Sequence, residues 1–199
     1  MTRLRDLNIT IGTFPTGPYN AITDVSGVRV GHATIIQDVP RVALTGVTVI
    51  MPRAGDIWRN PAFAAYHSFN GCGEMTGMHW VEESGQLSSP IALTSTHHVG
   101  TVHEALIAYA QEHGHTEHSS LPVVAETWDG WLNDMDGFHL KAEHVYAALG
   151  DLSGAAVGSG LQHRLRRFFT PDDAKVLLVA GAAAGVSAIF KAPVTGLVF

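Results

Sequence analysis

Apolar residues in the first 150 positions recur with two different periods. In "GPYNAITDVSGVRVGHATI" the turn pair Gly17-Pro18 is followed by Val25, Val28 and Val30 among polar neighbours, with Gly27 between them. That alternation predicts a strand carrying a turn or bulge at the glycine. "VALTGVTVIMP" (Val42 to Pro52) and "PIALTST" (Pro90 to Thr96) are short β-rich runs closed by proline or polar residues, and each predicts a strand. The period then changes. Thr101 and Glu104 form a Thr-x-x-Glu capping box, Val102, Leu106 and Tyr109 follow at helical spacing, and Gly114 supplies a stop. "LPVVAET" predicts a buried strand, and "KAEHVYAALG" (Lys141 to Gly150) a second helix ending at its glycine. Strands interleaved with helices, without repeats or low-complexity segments, make this region an α/β or α+β domain, of which α/β is the class expected.

The last fifty residues follow neither pattern. Val176 to Phe190 is an uncharged run of fifteen residues dense in Ala and Gly, and Lys191-Ala192-Pro193 interrupts it. It is shorter than the ~20 residues of a simple membrane span. Charge divides at the same place. Residues 1–150 carry 7 basic and 15 acidic side chains, net −8, whereas residues 151–199 carry 5 and 3, net +2. Such asymmetry marks a boundary and divides the chain into 1–150 and 151–199. The overall charge of −6 argues against nucleic acid as a partner. Cys72, the sole cysteine, excludes an internal disulfide and fits a reducing compartment. Arg3 and Arg5 precede no apolar run, so no signal peptide is predicted, and a cytoplasmic location is expected for residues 1–150.

Three stretches have residues suited to chemistry. "FNGCGEMTG" (Phe69 to Gly77) sets three glycines around Asn70 and Glu74, which lets backbone amides approach an anion; a plain tight loop is the other reading. Its spacing fits neither the dinucleotide nor the phosphate-loop fingerprint, no helix is evident behind it, and Cys72 has no sequence-local activator. "ETWDGWLND" (Glu126 to Asp134) leaves a strand with Trp128, Trp131 and Asn133, either as a binding loop or as a turn at Asp129-Gly130 with the tryptophans as core plugs. His113, His115 and His118 lack zinc-ligand spacing and read as a solvated loop, while His97 and His98 lie between a strand and a helix.

"GPYNAITDVSGVRVGH", "SFNGCGEMTG", "WVEESG", "THHVGTV" and "LPVVAETWDGWLNDMDGFH" resemble, in order, the amino-terminal half of the L-aminopeptidase/D-esterase (DmpA-type) and β-peptidyl aminopeptidase family, from about Asp6 to about Leu149. The resemblance implies an αββα four-layer sandwich of the N-terminal-nucleophile-hydrolase kind, here incomplete. It implies self-cleavage at a Gly–Ser bond, freeing a serine that releases N-terminal residues from small peptides or amides. A terminal α-amine can serve as base for its own hydroxyl, so no metal or organic cofactor is implied. Homo-oligomers are implied as well. Glu126 matches a family carboxylate near the reacting groups, and Asn70, Glu74, Trp128, Trp131 and Asn133 are the candidate substrate-binding residues.

The departures are specific. The family serine stands about a hundred residues beyond "ETWDG", in a part that has no counterpart here. Gly158-Ser159 arrives too early and precedes a basic segment instead of strands. The oxyanion-stabilising tyrosine of the family has no equivalent among Glu126 to Asp134. The segment "GAAVGSGLQHRLRRFFTPDDAKVLLVAGAAAGVSAIFKAPVTGLVF" resembles instead an interior piece of a CLC-type chloride channel or antiporter. The seam is expected between about Leu149 and Ala155, as a natural fusion or a sequence artefact. An apolar helical tail is expected to seek membranes or aggregate. A partial aminopeptidase, a channel fragment and a non-catalytic ligand-binding remnant are therefore the three functional readings.

Overall fold

The computed structural model describes residues 7–9, 11–68, 70–115 and 121–152. Its elements are β1 (Arg29–Gln37), β2 (Ala43–Met51), β3 (Ala62–Phe63), α1 (Met78–Ser84), β4 (Gln86–Leu87), β5 (Ile91–Ser95), α2 (Val99–Glu112) and β6 (Val123–Thr127). A last helix, α3, occupies 142–152. The main sheet has the order β1-β2-β5-β6, antiparallel except for the parallel pair β5–β6. That pair is joined by α2, as a parallel neighbour requires a crossover.

Strand β2 shows why the sheet has an inside. Ala43, Thr45, Val47, Val49 and Met51 are buried in strict alternation, and the intervening residues face the other way. Their face meets α2 and α3. Helix α2 turns one stripe inward, Val99, Val102, Ala105, Leu106 and Ala110, and α3 adds Val145, Ala148, Leu149 and Leu152. Each Val or Leu among them contributes about 1.5–3 kcal/mol on burial, and each Ala about 0.8 kcal/mol. Gly31 makes the close approach of α3 possible, because a Cβ there would stand 2.0 Å from the carbonyl oxygen of Ala148.

Among the described residues the opposite face is covered at one corner only. Helix α1 and the β3–β4 pair bring Val81 and Leu87 against Val123 and Ile91. Beyond that corner Ile36 is 77% exposed and Leu44 is 40% exposed.

Several local expectations are corrected. The segment around Val25 is a turn, with Val25 exposed and Gly27 at φ +88°; the strand begins at Arg29. Alternation past Gly31 is obscured because that position has no side chain to show it. Helix α2 starts at Val99, so Thr101 sits inside its first turn and caps nothing. Residues Thr96–His98 wind as a 3₁₀ turn into the helix, and no side-chain cap is present. A helix does follow the glycine-rich stretch, since Gly77 in the left-handed region leads into α1. Helix α3 continues through Gly150, and Leu152 is buried in the same core. The apolar run Val176 to Phe190, Ser159 and His118 lie outside the described residues. Among the described residues no helix is long and apolar enough to cross a membrane.

Candidate functional site

The two parallel strands end side by side at Ser95 and Thr127, and the chain leaving β6 folds over that rim. Its organising group is Asp129. One carboxylate oxygen accepts from the Ser95 hydroxyl at 2.9 Å, and the other from the Thr45 hydroxyl at 2.6 Å. The Asn133 amide donates to the second oxygen at 3.4 Å, and its own carbonyl accepts from the Leu44 amide at 3.2 Å. The Asp129 carboxylate thus joins β2, β5 and the loop after β6. A second tie lies outside it, where Arg41 forms a two-pronged pair with Asp134, its Nη2 at 2.9 Å from Oδ1. The Asp134 amide donates to the Val42 carbonyl. Charge-assisted bonds of this kind hold the loop in one register.

This bracket separates the candidate residues by role. Asn133 is 6% exposed and its amide is committed on both sides, so it holds the loop from within and is not on its surface. Trp128 and Trp131 are 58% and 89% exposed, with ring centroids 5.9 Å apart and nearly perpendicular. They are therefore not core plugs, because the bracket turns the loop outward. Edge-to-face tryptophans on a fixed loop offer an exposed, corner-shaped apolar surface for a ligand.

The glycine-rich stretch reaches the same rim. The Thr76 amide donates to the Val124 carbonyl, the Val124 amide donates to the Thr76 hydroxyl, and the Glu126 amide donates to the Glu74 carbonyl. Residues 74–76 thus run antiparallel along the free edge of β6, with a bridge from Met75 to Ala125. This blunts an edge that would otherwise pair with another chain, and it sets Glu74 beside half-buried Glu126. Asn70 accepts from the amides of Cys72 and Gly73 at 2.8 and 3.1 Å, so its side chain shapes the loop itself. Gly71 and Gly73 have nothing within 4 Å of where a Cβ would stand, which leaves that backbone open to an approaching group. Cys72 is free and exposed.

From the rim a groove of about 300 Å³ extends over the uncovered face of the sheet, lined among others by His32, Thr34, Thr48, Leu93, Thr127 and Asp129. His32 is tied to the Thr48 hydroxyl at 2.9 Å. On the helix side of the rim, fully buried His98 accepts from the Leu140 amide at Nε2, and its Nδ1 has no hydrogen-bond partner among the described residues. Burial lowers its pKa; Asp129 opposes that shift, and His139, Lys141 and His97 add to it. His97 points outward and sits 3.4 Å from an Asp136 oxygen. His115 is not in a solvated loop: it is stacked on Trp58 at 4.5 Å. Among the described residues no three His, Cys, Asp or Glu side chains are grouped to hold a metal.

Sequence reading missed Asp129 as the hub, together with its partners Thr45 and Ser95. The "TWDG" wording marks the aspartate as a turn residue, and its partners lie 84 and 34 positions earlier, beyond any local pattern.

Comparison with known proteins accords with this architecture. Residues 20–162 match peptidase family S58, and a short second match, residues 152–199, is to the voltage-gated chloride channel family. The β-peptidyl aminopeptidase BapA of Sphingosinicella microcystinivorans is 40% identical over 164 residues, covering 79% of this chain and 41% of that protein. Among solved structures, a Burkholderia sp. β-aminopeptidase superposes with a TM-score of 0.70 at 49% identity, covering 74% of this chain and 42% of its own. The L-aminopeptidase D-Ala-esterase/amidase of Ochrobactrum anthropi, described as a variant of the Ntn-hydrolase fold, gives 0.65 at 42% identity, with 74% and 43% covered. The chain belongs to peptidase family S58, has an Ntn-hydrolase-like α/β fold, and spans about two-fifths of the length of these relatives.

Proposed function

We propose that residues up to about 152 are the amino-terminal portion of a self-processing aminopeptidase that releases N-terminal residues from small peptides or amides. The observation that carries this reading is the rim where β5 and β6 end, which stands beside an uncovered sheet face. A one-sided sheet with helices on the other face needs a second layer. The relatives have more than half their length in the part this chain does not span. In this reading that part supplies a second sheet, giving the four-layer αββα sandwich, and the serine nucleophile. Glu126 and Glu74 then lie near the reacting groups, and Trp128 and Trp131 flank the substrate.

The chemistry assigned to the absent serine is nucleophilic attack on the scissile carbonyl, with its own α-amine as base. The part present here positions and encloses. The oxyanion tyrosine that the family resemblance implies has no equivalent among Glu126 to Asp134, so that role is not assigned to a residue of this chain.

On this reading a polypeptide of these 199 residues neither cleaves itself nor hydrolyses peptide amides. Intact-mass spectrometry tests it: one species of full mass is expected. A pair of fragments split between Gly158 and Ser159, and abolished by Ser159→Ala, overturns it.

Residues 152–199 support a separate reading as a channel-derived segment, on their match and on the apolar composition of Val176 to Phe190. The seam then lies no earlier than Leu152, which belongs to the peptidase core.

A further inference from the structure

The end of the sheet opposite the Asp129 bracket contains a second cavity, of about 270 Å³. It is lined by Arg29, the first residue of β1, and its cross-strand partner Met51. Trp58, Tyr109 of α2, and Leu149 and Leu152 of α3 line it as well. The lining is mostly apolar and aromatic, and among the described residues its cation has no counterpart. Arg29 forms no ion pair with a described residue. Asp56, the one carboxylate lining the cavity, is already engaged. Its Oδ1 accepts from the amides of Trp58 and Arg59, and its Oδ2 faces the Arg59 guanidinium at 3.6 Å and His115 at 3.7 Å.

Two further features show that the cavity is built. His115 stacks on Trp58 with an interplanar angle of 10°, which fixes the indole as a wall. Tyr109 is held by stacking on His113 at 3.9 Å. Burial raises the pKa of its hydroxyl and the Arg29 charge lowers it, so the phenol stays a neutral donor near the guanidinium.

We propose that this cavity binds a small carboxylate with an apolar body, the carboxylate on Arg29 and the Tyr109 hydroxyl, the body between Trp58, Met51, Leu149 and Leu152. A guanidinium fork beside a hydroxyl donor recognises the two oxygens of a carboxylate. The apolar walls add burial that a mineral anion cannot use. The site is at the far end of the sheet from Glu126 and Asp129, so it holds or fails independently of the proposed peptidase chemistry.

Isothermal titration of the full 199-residue chain, kept dispersed in a mild non-ionic detergent, with 3-phenylpropionate, and in parallel with its neutral isostere 3-phenylpropionamide, tests the proposal. The acid is expected to bind with a Kd on the order of 1 mM or tighter. The amide is expected to bind at least about tenfold more weakly, the discrimination of one charge-assisted pair. Arg29→Gln should lose about tenfold for the acid and leave the amide unchanged, and Arg29→Lys should retain part of the difference. Equal binding of acid and amide to the unaltered chain overturns the proposal, as does no heat of binding at millimolar concentration. The acid–amide comparison needs no variant, so it decides the question even where Arg29→Gln perturbs folding.

Discussion

Among single residues, Asp129 has the widest reach. Thr45 and Ser95 are buried hydroxyls whose acceptor is its carboxylate. Asp129→Ala leaves both without a partner, and a hydrogen bond to a charged group contributes about 1.5–3 kcal/mol. A loss of about 2 kcal/mol or more is expected in urea unfolding, against about 1 kcal/mol for Ser95→Ala. An Asp129→Ala chain as stable as the parent would show that the bracket holds nothing. His98 gives a pH signature. Its pKa is lowered on folding, so the unfolded chain binds more protons below about 6.5, the ordinary histidine value. Stability is therefore full above that value and falls as pH drops through the folded pKa. Asp151 works in the opposite sense. Burial raises its pKa despite the His32 amide at 3.1 Å, so its contribution is present below about 3.8 and lost as pH rises through the folded value. His98→Gln, which keeps an acceptor for Leu140, should flatten the loss of stability between pH 7.5 and 5.5 in denaturation curves. An unchanged slope would assign that loss to other groups.

Between elements, the decisive contact is α3 on β1. A Cβ at Gly31 meets backbone, not a movable side-chain tip, so Gly31→Ala must push the helix outward. Overpacking of this sort costs about 1–3 kcal/mol. Gly71→Ala, with open space around it, should cost a few tenths of a kcal/mol at most. Thermal melts of the two variants side by side check this; equal melting temperatures would remove α3 from the core. The elements also show what a sequence can tell. Strands β2, β5 and β6 and helix α2 are legible because their burial is periodic and local. The start of β1 is not, because Gly31 answers to a helix more than a hundred residues later. The false capping box at Thr101 and the missed α1 have one cause. A 3₁₀ lead-in and a left-handed glycine replace the side-chain caps that a sequence pattern can recognise. Likewise Glu126, Trp128 and Trp131 are legible as a loop after a strand, whereas Asp129 as hub requires contacts 34 and 84 positions away.

Taken whole, the described residues form a sheet with one face packed by helices and one largely uncovered, and the sequence changes character beyond Leu152. Ile36 and Leu44 face outward where a second layer is proposed to dock. The channel-derived reading concerns the apolar run from Val176, which Arg164, Arg166, Arg167 and Lys175 precede in the sequence. On that reading the basic side chains would add attraction to anionic headgroups on the order of 1 kcal/mol each. The 199-residue chain is expected to pellet with membranes or aggregate, and a chain ending at Leu152 to lose that behaviour. Fractionation of both decides it, and a monodisperse, detergent-free 199-residue chain would contradict the channel-derived reading. The open face and the proposal that the nucleophile belongs to the part not spanned here are tested together by hydrolysis of a β-amino-acid amide after co-expression with the part of the Burkholderia β-aminopeptidase beyond the region matched here. No release is expected from either part alone, release is expected from the pair, and that release should be lost when Leu44→Glu places a charge on the docking face. Release by the 199-residue chain alone, or none from a pair that forms a stable complex, would contradict the proposed function.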